Sequence, residues 1–231
     1  CLRYTELQKS LDYCKILSKK GYQVFIQPMV TMRYSADELR EVIYTANEIE
    51  AYALYYVDSY GYMDEKSIEE TFQFYDEKLD SNVKIGFHAH NNMDLAFHNV
   101  RFFIEQLSGR DVIIDSCVTG MGQGAGNLKT EVVVNYLNTY FGKTYKFDKL
   151  LEVCDMVGKY CLTDELAWGY SPLMLIPAVH KAAYKYASEL RWKYGLTFTE
   201  INQLLSGMPD NMKHRYTQEN LLKLLIKTGR M

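Results

Sequence analysis

The chain has 231 residues, enough for one large domain or two small ones, and its 48% hydrophobic and 24% charged content are those of an ordinary globular protein. A formal net charge of −3, with Lys and Arg scattered along the chain, leaves no electrostatic footprint for nucleic acid. The longest apolar run, Leu173 to Ala178, contains Pro177 and falls far short of a membrane span. The five cysteines form no Cys-x-x-Cys pair and their odd count argues against a secreted disulfide framework, and no signal peptide is recognisable before the first helix, so a cytoplasmic location is expected.

Apolar residues Leu7, Leu11, Cys14 and Leu17 recur at helical spacing between Thr5 and Lys20, and Gly21 stops that helix. Tyr22 to Gln27 reads as a strand ending at Pro28. Ser35-Ala36-Asp37-Glu38 is a capping box, followed by the apolar stripe Leu39, Val42, Ile43, Ala46 and Ile49. Tyr52 to Val57 is the next strand, closed by Asp58-Ser59-Tyr60-Gly61. Asp64 caps a helix with Ile68, Phe72, Tyr75 and Leu79 facing inward. The run from Val83 through His90 is a third strand, Leu95 to Leu107 a helix, and Val112 to Asp115 a fourth strand. From about Phe147 the pattern turns wholly helical. Asp148 is expected to cap one helix, Ser171-Pro172 opens another, and Thr217 starts a last one carrying Leu221, Leu222, Leu224 and Leu225. Strands without alternation, separated by single helices, imply a parallel sheet buried on both faces. An open doubly wound sheet and a (β/α)8 barrel both fit.

The chemistry gathers where the strands end. In Gly86-Phe87-His88-Ala89-His90-Asn91-Asn92, the two-residue period of a strand puts His88 and His90 on one side, close enough for two neutral imidazoles to share a divalent ion. Thr31, Asp58-Ser59 and Asp115-Ser116 also follow apolar strand runs, and in parallel α/β folds those ends form the active face. Thr119-Gly120-Met121-Gly122-Gln123-Gly124-Ala125-Gly126-Asn127 lets backbone approach a ligand closely. A dinucleotide reading of this loop needs a second strand ending in an acid about 20 residues on, and none is present. Asn127, expected at the start of the next helix, can instead turn its side-chain oxygen toward the site of His88 and His90.

Taken together, GFHAHNN and the later DSCVTGMGQGAGN resemble the metal-dependent barrels of the DRE–TIM metallolyase superfamily, most of all 4-hydroxy-2-oxovalerate aldolases and 3-hydroxy-3-methylglutaryl-CoA lyase-like proteins. The resemblance implies an α/β fold: the carboxyl-terminal half of a (β/α)8 barrel, about four parallel strands over residues 1–145, then a helical region over 146–231. It implies a divalent metal (Mn, Mg or Zn) on His88, His90 and Asn127. Thr31 and Ser59 match hydroxyl-bearing positions of the substrate pocket, and Tyr170 matches a tyrosine that moves the proton of the aldol hydroxyl. The implied reaction makes or breaks a carbon–carbon bond next to a small 2-oxo acid through a pyruvate enolate. A Claisen-condensing acyltransferase of the isopropylmalate or homocitrate synthase type, and a non-catalytic assembly module, are the alternatives.

Two departures stand out. Nothing here matches the family's Asp-Arg-Glu-like first-strand motif, which supplies a third metal ligand, and the glycine-rich loop lacks the lyase branch's catalytic cysteine. A chain that opens on Cys1 reads as a piece of a longer protein, with strands one to four elsewhere. Alone, it is expected to bind metal weakly, to be inactive, and to self-associate as a homo-oligomer through an open half-barrel edge.

Overall fold

The β-branched and aromatic runs pair into one parallel sheet, and the amphipathic segments between them return the chain to its starting edge. In the computed structural model, which describes residues 2–106, 109–161 and 168–227, α1 (Leu7–Lys19) precedes β1 (Phe25–Ile26). Then come α2 (Ala36–Glu48), β2 (Ala53–Asp58), α3 (Glu65–Asp76), β3 (Lys84–Ala89), α4 (Ala96–Gln106) and β4 (Val112–Asp115). After the glycine-rich loop lie α5 (Thr130–Tyr140) and α6 (Phe147–Tyr160). The carboxyl-terminal region holds α7 (Pro172–Val179), α8 (Lys185–Trp192), α9 (Phe198–Ser206), α10 (Asp210–Lys213) and α11 (Gln218–Lys227). The sheet order is β1-β2-β3-β4 with every pair parallel, the arrangement of a partial (β/α)8 barrel followed by helices.

Local signals explain most boundaries. The Glu38 amide donates to Ser35 Oγ at 3.2 Å while the Ser35 amide donates to Glu38 Oε2 at 2.7 Å, the reciprocal pair of a capping box. Asp64 caps α3 through the Ser67 amide at 2.9 Å. Three expectations change. The strand expected over Tyr22–Gln27 pairs with β2 only at Phe25 and Ile26, and the chain beyond it bonds to Leu2, whose amide donates to Gln27 O at 2.7 Å. Asp148 does not cap α6: Lys146 holds that position without a side-chain bond, and Asp148 sits inside the first turn, where its charge favours the helix dipole. Asn127 lies in the loop, because α5 starts only at Thr130.

Alternate strand residues serve two faces. Leu54, Tyr56, Ile85, Phe87 and Ala89 point toward the helices and join the main core with Ile68, Phe72, Val100 and Phe103. Aromatic rings fill it: Tyr56 lies 4.7 Å from Phe87 and 5.6 Å edge-on from Phe103. The other face carries a small cluster of Ala53, Tyr55 and Val57 with Ile113 against it. Gly86 belongs to that face, where a Cβ would stand 2.5 Å from the Tyr55 ring.

A second core, built from Leu173, Tyr186, Leu190, Ile201, Leu205, Leu221 and their neighbours, holds the carboxyl-terminal helices. Helix α6 contributes no buried residue and packs on α5 and the Val118–Gly120 turn, so the core changes beyond α6. Two bonds tie the second core to the sheet: Tyr60 OH donates to His214 O at 2.6 Å, and Arg33 Nη2 donates to Lys181 O at 2.9 Å. Among the described residues no helix is long and apolar enough to cross a membrane.

Candidate active site

Parallel strands put all their carboxyl ends on one side, and the register sets Val57, His88 and Asp115 in a row across β2, β3 and β4. The loop after β1 is held under strain. Val30 has φ of 55°, the left-handed region that a β-branched residue rarely enters. Its amide donates to Ser59 Oγ at 2.8 Å, which keeps it there. Thr31 is buried; its hydroxyl donates to Pro28 O at 2.8 Å and accepts from the Val57 amide at 2.7 Å. Both functions of that hydroxyl thus go to backbone. The loop after β2 hangs on Asp58, whose carboxyl accepts from the amides of Tyr62 at 3.0 Å and Met63 at 3.1 Å. Burial nevertheless dominates and pushes Asp58 up to about 7.

His88 and His90 share one side of the β3 end, their ring centroids 5.2 Å apart. His88 Nδ1 lies 3.0 Å from Asp115 Oδ2. A carboxylate only accepts, so Nδ1 carries the hydrogen and a neutral ring keeps its Nε2 lone pair for a ligand. Asp115 is itself fixed by Gln27 Nε2 at 3.0 Å and by Tyr55 OH at 3.1 Å. His90 is pushed down to about 4, first by burial and then by the His88 charge, while a backbone hydrogen bond with Gln123 opposes the shift. Near neutral pH it is an unprotonated imidazole, the form that binds metal.

The glycine-rich loop is stitched to this strand end. His90 and Asn127 are partners in an isolated antiparallel bridge, the Asn91 amide donates to Gly126 O at 2.9 Å, and the Leu128 amide to Ala89 O at 3.1 Å. Asn92 is buried and accepts the Ala125 amide at 3.0 Å, whereas Asn91 accepts the Ala96 amide at the start of α4 at 3.1 Å. Gly126, at φ of 89°, would bring a Cβ within 2.0 Å of Gly120 O. Asn127 Nδ2 donates to Met121 O at 2.8 Å, and this fixes the amide and leaves Oδ1 buried without a partner. An orphaned amide oxygen on the residue bridged to His90 fits a hard-to-borderline divalent cation. Among the described residues no group of three or more His, Cys, Asp or Glu side chains converges.

A cavity of about 500 Å³ opens over the strand ends, with His88, His90, Ser59 and Gln27 on one wall. The opposite wall comes from the carboxyl-terminal helices. Neither Thr31 nor Asn127 is among its lining residues, and neither is Tyr170, which is 58% exposed. Tyr170 follows Trp168, whose indole donates to Thr119 O at 2.9 Å and so anchors that stretch to the glycine-rich loop. Of the residues that sequence reasoning left without a role, Asp115 was signalled by its place at the end of a strand. Arg33, Lys185 and Arg215 carried no signal, since only the packing of two distant regions brings them to one cavity.

The 4-hydroxy-2-oxovalerate aldolase of Bacillus cereus is 30% identical over 173 residues, covering 75% of this chain and 46% of that protein. The chain therefore spans about half the length of this relative. The N-terminal domain of a Bacteroides vulgatus protein described as an aldolase superposes with a TM-score of 0.71 at 23% identity, over 84% of this chain and 63% of that one. The carboxyl transferase domain of Rhizobium etli pyruvate carboxylase does so with a TM-score of 0.66 at 11% identity, over 96% of this chain and 40% of that one. These two likenesses are of fold; the second extends it through the carboxyl-terminal helices. The HMGL-like family model matches residues 3–157, which holds the sheet, both histidines and the whole glycine-rich loop, and the chain belongs to the HMGL-like family.

Proposed function

We propose that this chain carries the carboxyl-terminal part of a divalent-metal-dependent carbon–carbon lyase that cleaves a 4-hydroxy-2-oxo acid to pyruvate and an aldehyde. The observation that carries the reading is the buried, unpartnered Asn127 Oδ1 on the loop bridged to His90, with His88 beside it. His88, His90 and Asn127 would hold Mn, Mg or Zn. Such an ion, when bound, acts as a Lewis acid on the keto oxygen and stabilises enolate charge.

The chain's own residues prepare that site. Asp115 selects the His88 tautomer, and burial keeps His90 neutral. Ser59 lines the cavity and is proposed to contact the substrate, whereas Thr31 supports it by fixing Val57 and the β1 loop. The proton-transfer role that the resemblance implies for Tyr170 requires its hydroxyl to reach the cavity from an exposed position. The remaining ligand and the groups that polarise the carbonyl belong to the part of the relatives' length outside this chain. The strands β1 and β4 are the edges where that part, or a second copy, would add.

Two measurements test the proposal. Mn²⁺ titration of the chain should give one site per molecule, weakened at least tenfold in His88→Ala and in His90→Ala. Pyruvate release from 4-hydroxy-2-oxovalerate by the whole protein should need a divalent ion and vanish with EDTA. Full turnover in EDTA would exclude the reading.

A further inference from the structure

The cavity over the histidines has an unbalanced charge. Arg3, Arg33, Lys185 and Arg215 line it, and no aspartate or glutamate does. Among the described residues none of the four cations forms an ion pair. Asp210, the acid whose carboxyl feels Arg33, pairs instead with Lys213 at 2.9 Å outside the lining. Arg33 is anchored through Nη2 to Lys181 O and by a side-chain hydrogen bond with Tyr62, yet its Nε is buried without a partner. A guanidinium fixed at one end with a spare buried N–H is pre-organised for an anion.

The carboxyl-terminal wall adds a second, independent feature. Ala183, Tyr184 and Lys185 line the cavity, and they are the start of α8. No side chain caps that helix; the Tyr186 and Ala187 amides bond to Ala183 O and Tyr184 O, so what the helix start brings to the cavity wall is the Lys185 side chain and the positive end of the backbone dipole. The same lining includes Val30, Val57, Tyr60, Tyr184 and Tyr216, which suits a short carbon chain. One carboxylate placed beside the histidines would leave most of these cations unmatched.

We propose that the cavity takes a 2-oxo acid bearing a second anionic group, with the far carboxylate or phosphate seated among Arg33, Lys185, Arg215 and the start of α8. This names the substrate class for the reading above and rests on it only for the keto-acid end.

The test is isothermal titration of the chain, in the presence of Mn²⁺ and at one ionic strength, with 2-oxoglutarate and with 2-oxovalerate, which differ by the terminal carboxylate. The dianion should bind at least about tenfold more tightly, as expected for one charge-assisted contact pair. In K185Q/R215Q, where both side chains are exposed and a melting curve checks the fold, that ratio should fall at least about threefold, Arg33 retaining part of it, with 2-oxovalerate unchanged. Equal or undetectable binding of both acids, or a ratio that survives the double substitution, overturns the proposal. Inorganic phosphate and glutarate as competitors separate the two termini, the stronger naming the group the site prefers. A ratio that persists while neither His88→Ala nor removal of Mn²⁺ changes either affinity keeps the anion site and removes the lyase reading.

Discussion

The two faces of the sheet come from alternate residues of the same strands and follow different rules. The helix-covered face is apolar up to the strand ends, where Asp58 is buried, with Leu54, Tyr56, Ile85 and Phe87 all fully buried. The open face places Tyr55, His88, Asp115 and Gln27 in one hydrogen-bonded chain, with His88 keeping 27% of its side chain exposed. On the first face stability follows buried area; on the second it follows whether each polar group has a partner. The difference teaches where change is costly and where it is informative. Substitutions on the covered face should unfold the chain, and those on the open face should change what it binds.

The largest effect is expected from Phe87→Ala, which empties the middle of the aromatic cluster with Tyr56 and Phe103. A loss of about 3–5 kcal/mol in urea unfolding is the usual range for a buried aromatic. A loss under about 1 kcal/mol would show that the covered face is not the main source of stability.

Asp58→Ala comes next, because it strands the amides of Tyr62 and Met63 in a buried loop, at roughly 1–3 kcal/mol each. The wild-type residue also gives a signed pH dependence. Its carboxyl titrates near 3.8 when unfolded and at about 7 when folded, so between those values the folded chain holds a proton that the unfolded chain has released. Stability should therefore fall as pH rises through that window, by an amount on the order of a few kcal/mol, and Asp58→Asn should flatten this part of the curve. A wild-type curve that rises instead would mean the backbone donors outweigh burial.

Asp115→Asn should cost little stability while weakening Mn²⁺ binding by about 10- to 100-fold, the usual penalty for losing a partner that orients a ligating histidine. Nitrogen NMR of the His88 ring supplies the discriminating readout: the hydrogen should leave its fixed place on Nδ1. Unchanged tautomer and affinity would reduce Asp115 to a strand-end packing group. The smallest effect belongs to Tyr170→Phe. An exposed hydroxyl should change stability by less than about 0.5 kcal/mol and leave Mn²⁺ binding untouched. A turnover loss of tenfold or more in the whole protein would then assign the hydroxyl to proton transfer, and an unchanged rate would leave it a surface group.

Much of this molecule was legible before any coordinates. Capping signals at Ser35 and Asp64, β-branched runs at Ala53–Asp58 and Lys84–Ala89, and the two-residue period that pairs His88 with His90 all act over a few residues. Local geometry is enough for them, and so the order of elements and the histidine pair could be read directly. The errors were local too: Asp148 is acidic in the first turn of α6 but two residues too late to cap, and β1 pairs with β2 at only two residues, the chain after it bonding to Leu2. The tertiary structure alone decided the rest. Asn127 acquires its orphaned oxygen from a bond to Met121 across a folded loop, and Thr31 turns inward because Pro28 and Val57 both need its hydroxyl. Arg33, Lys185 and Arg215 meet in one cavity because two hydrophobic cores dock through Tyr60 and Arg33. No periodicity records such a meeting: side-chain spacing specifies an element and the face it buries, whereas the contacts between elements follow from how those buried faces fit together in space.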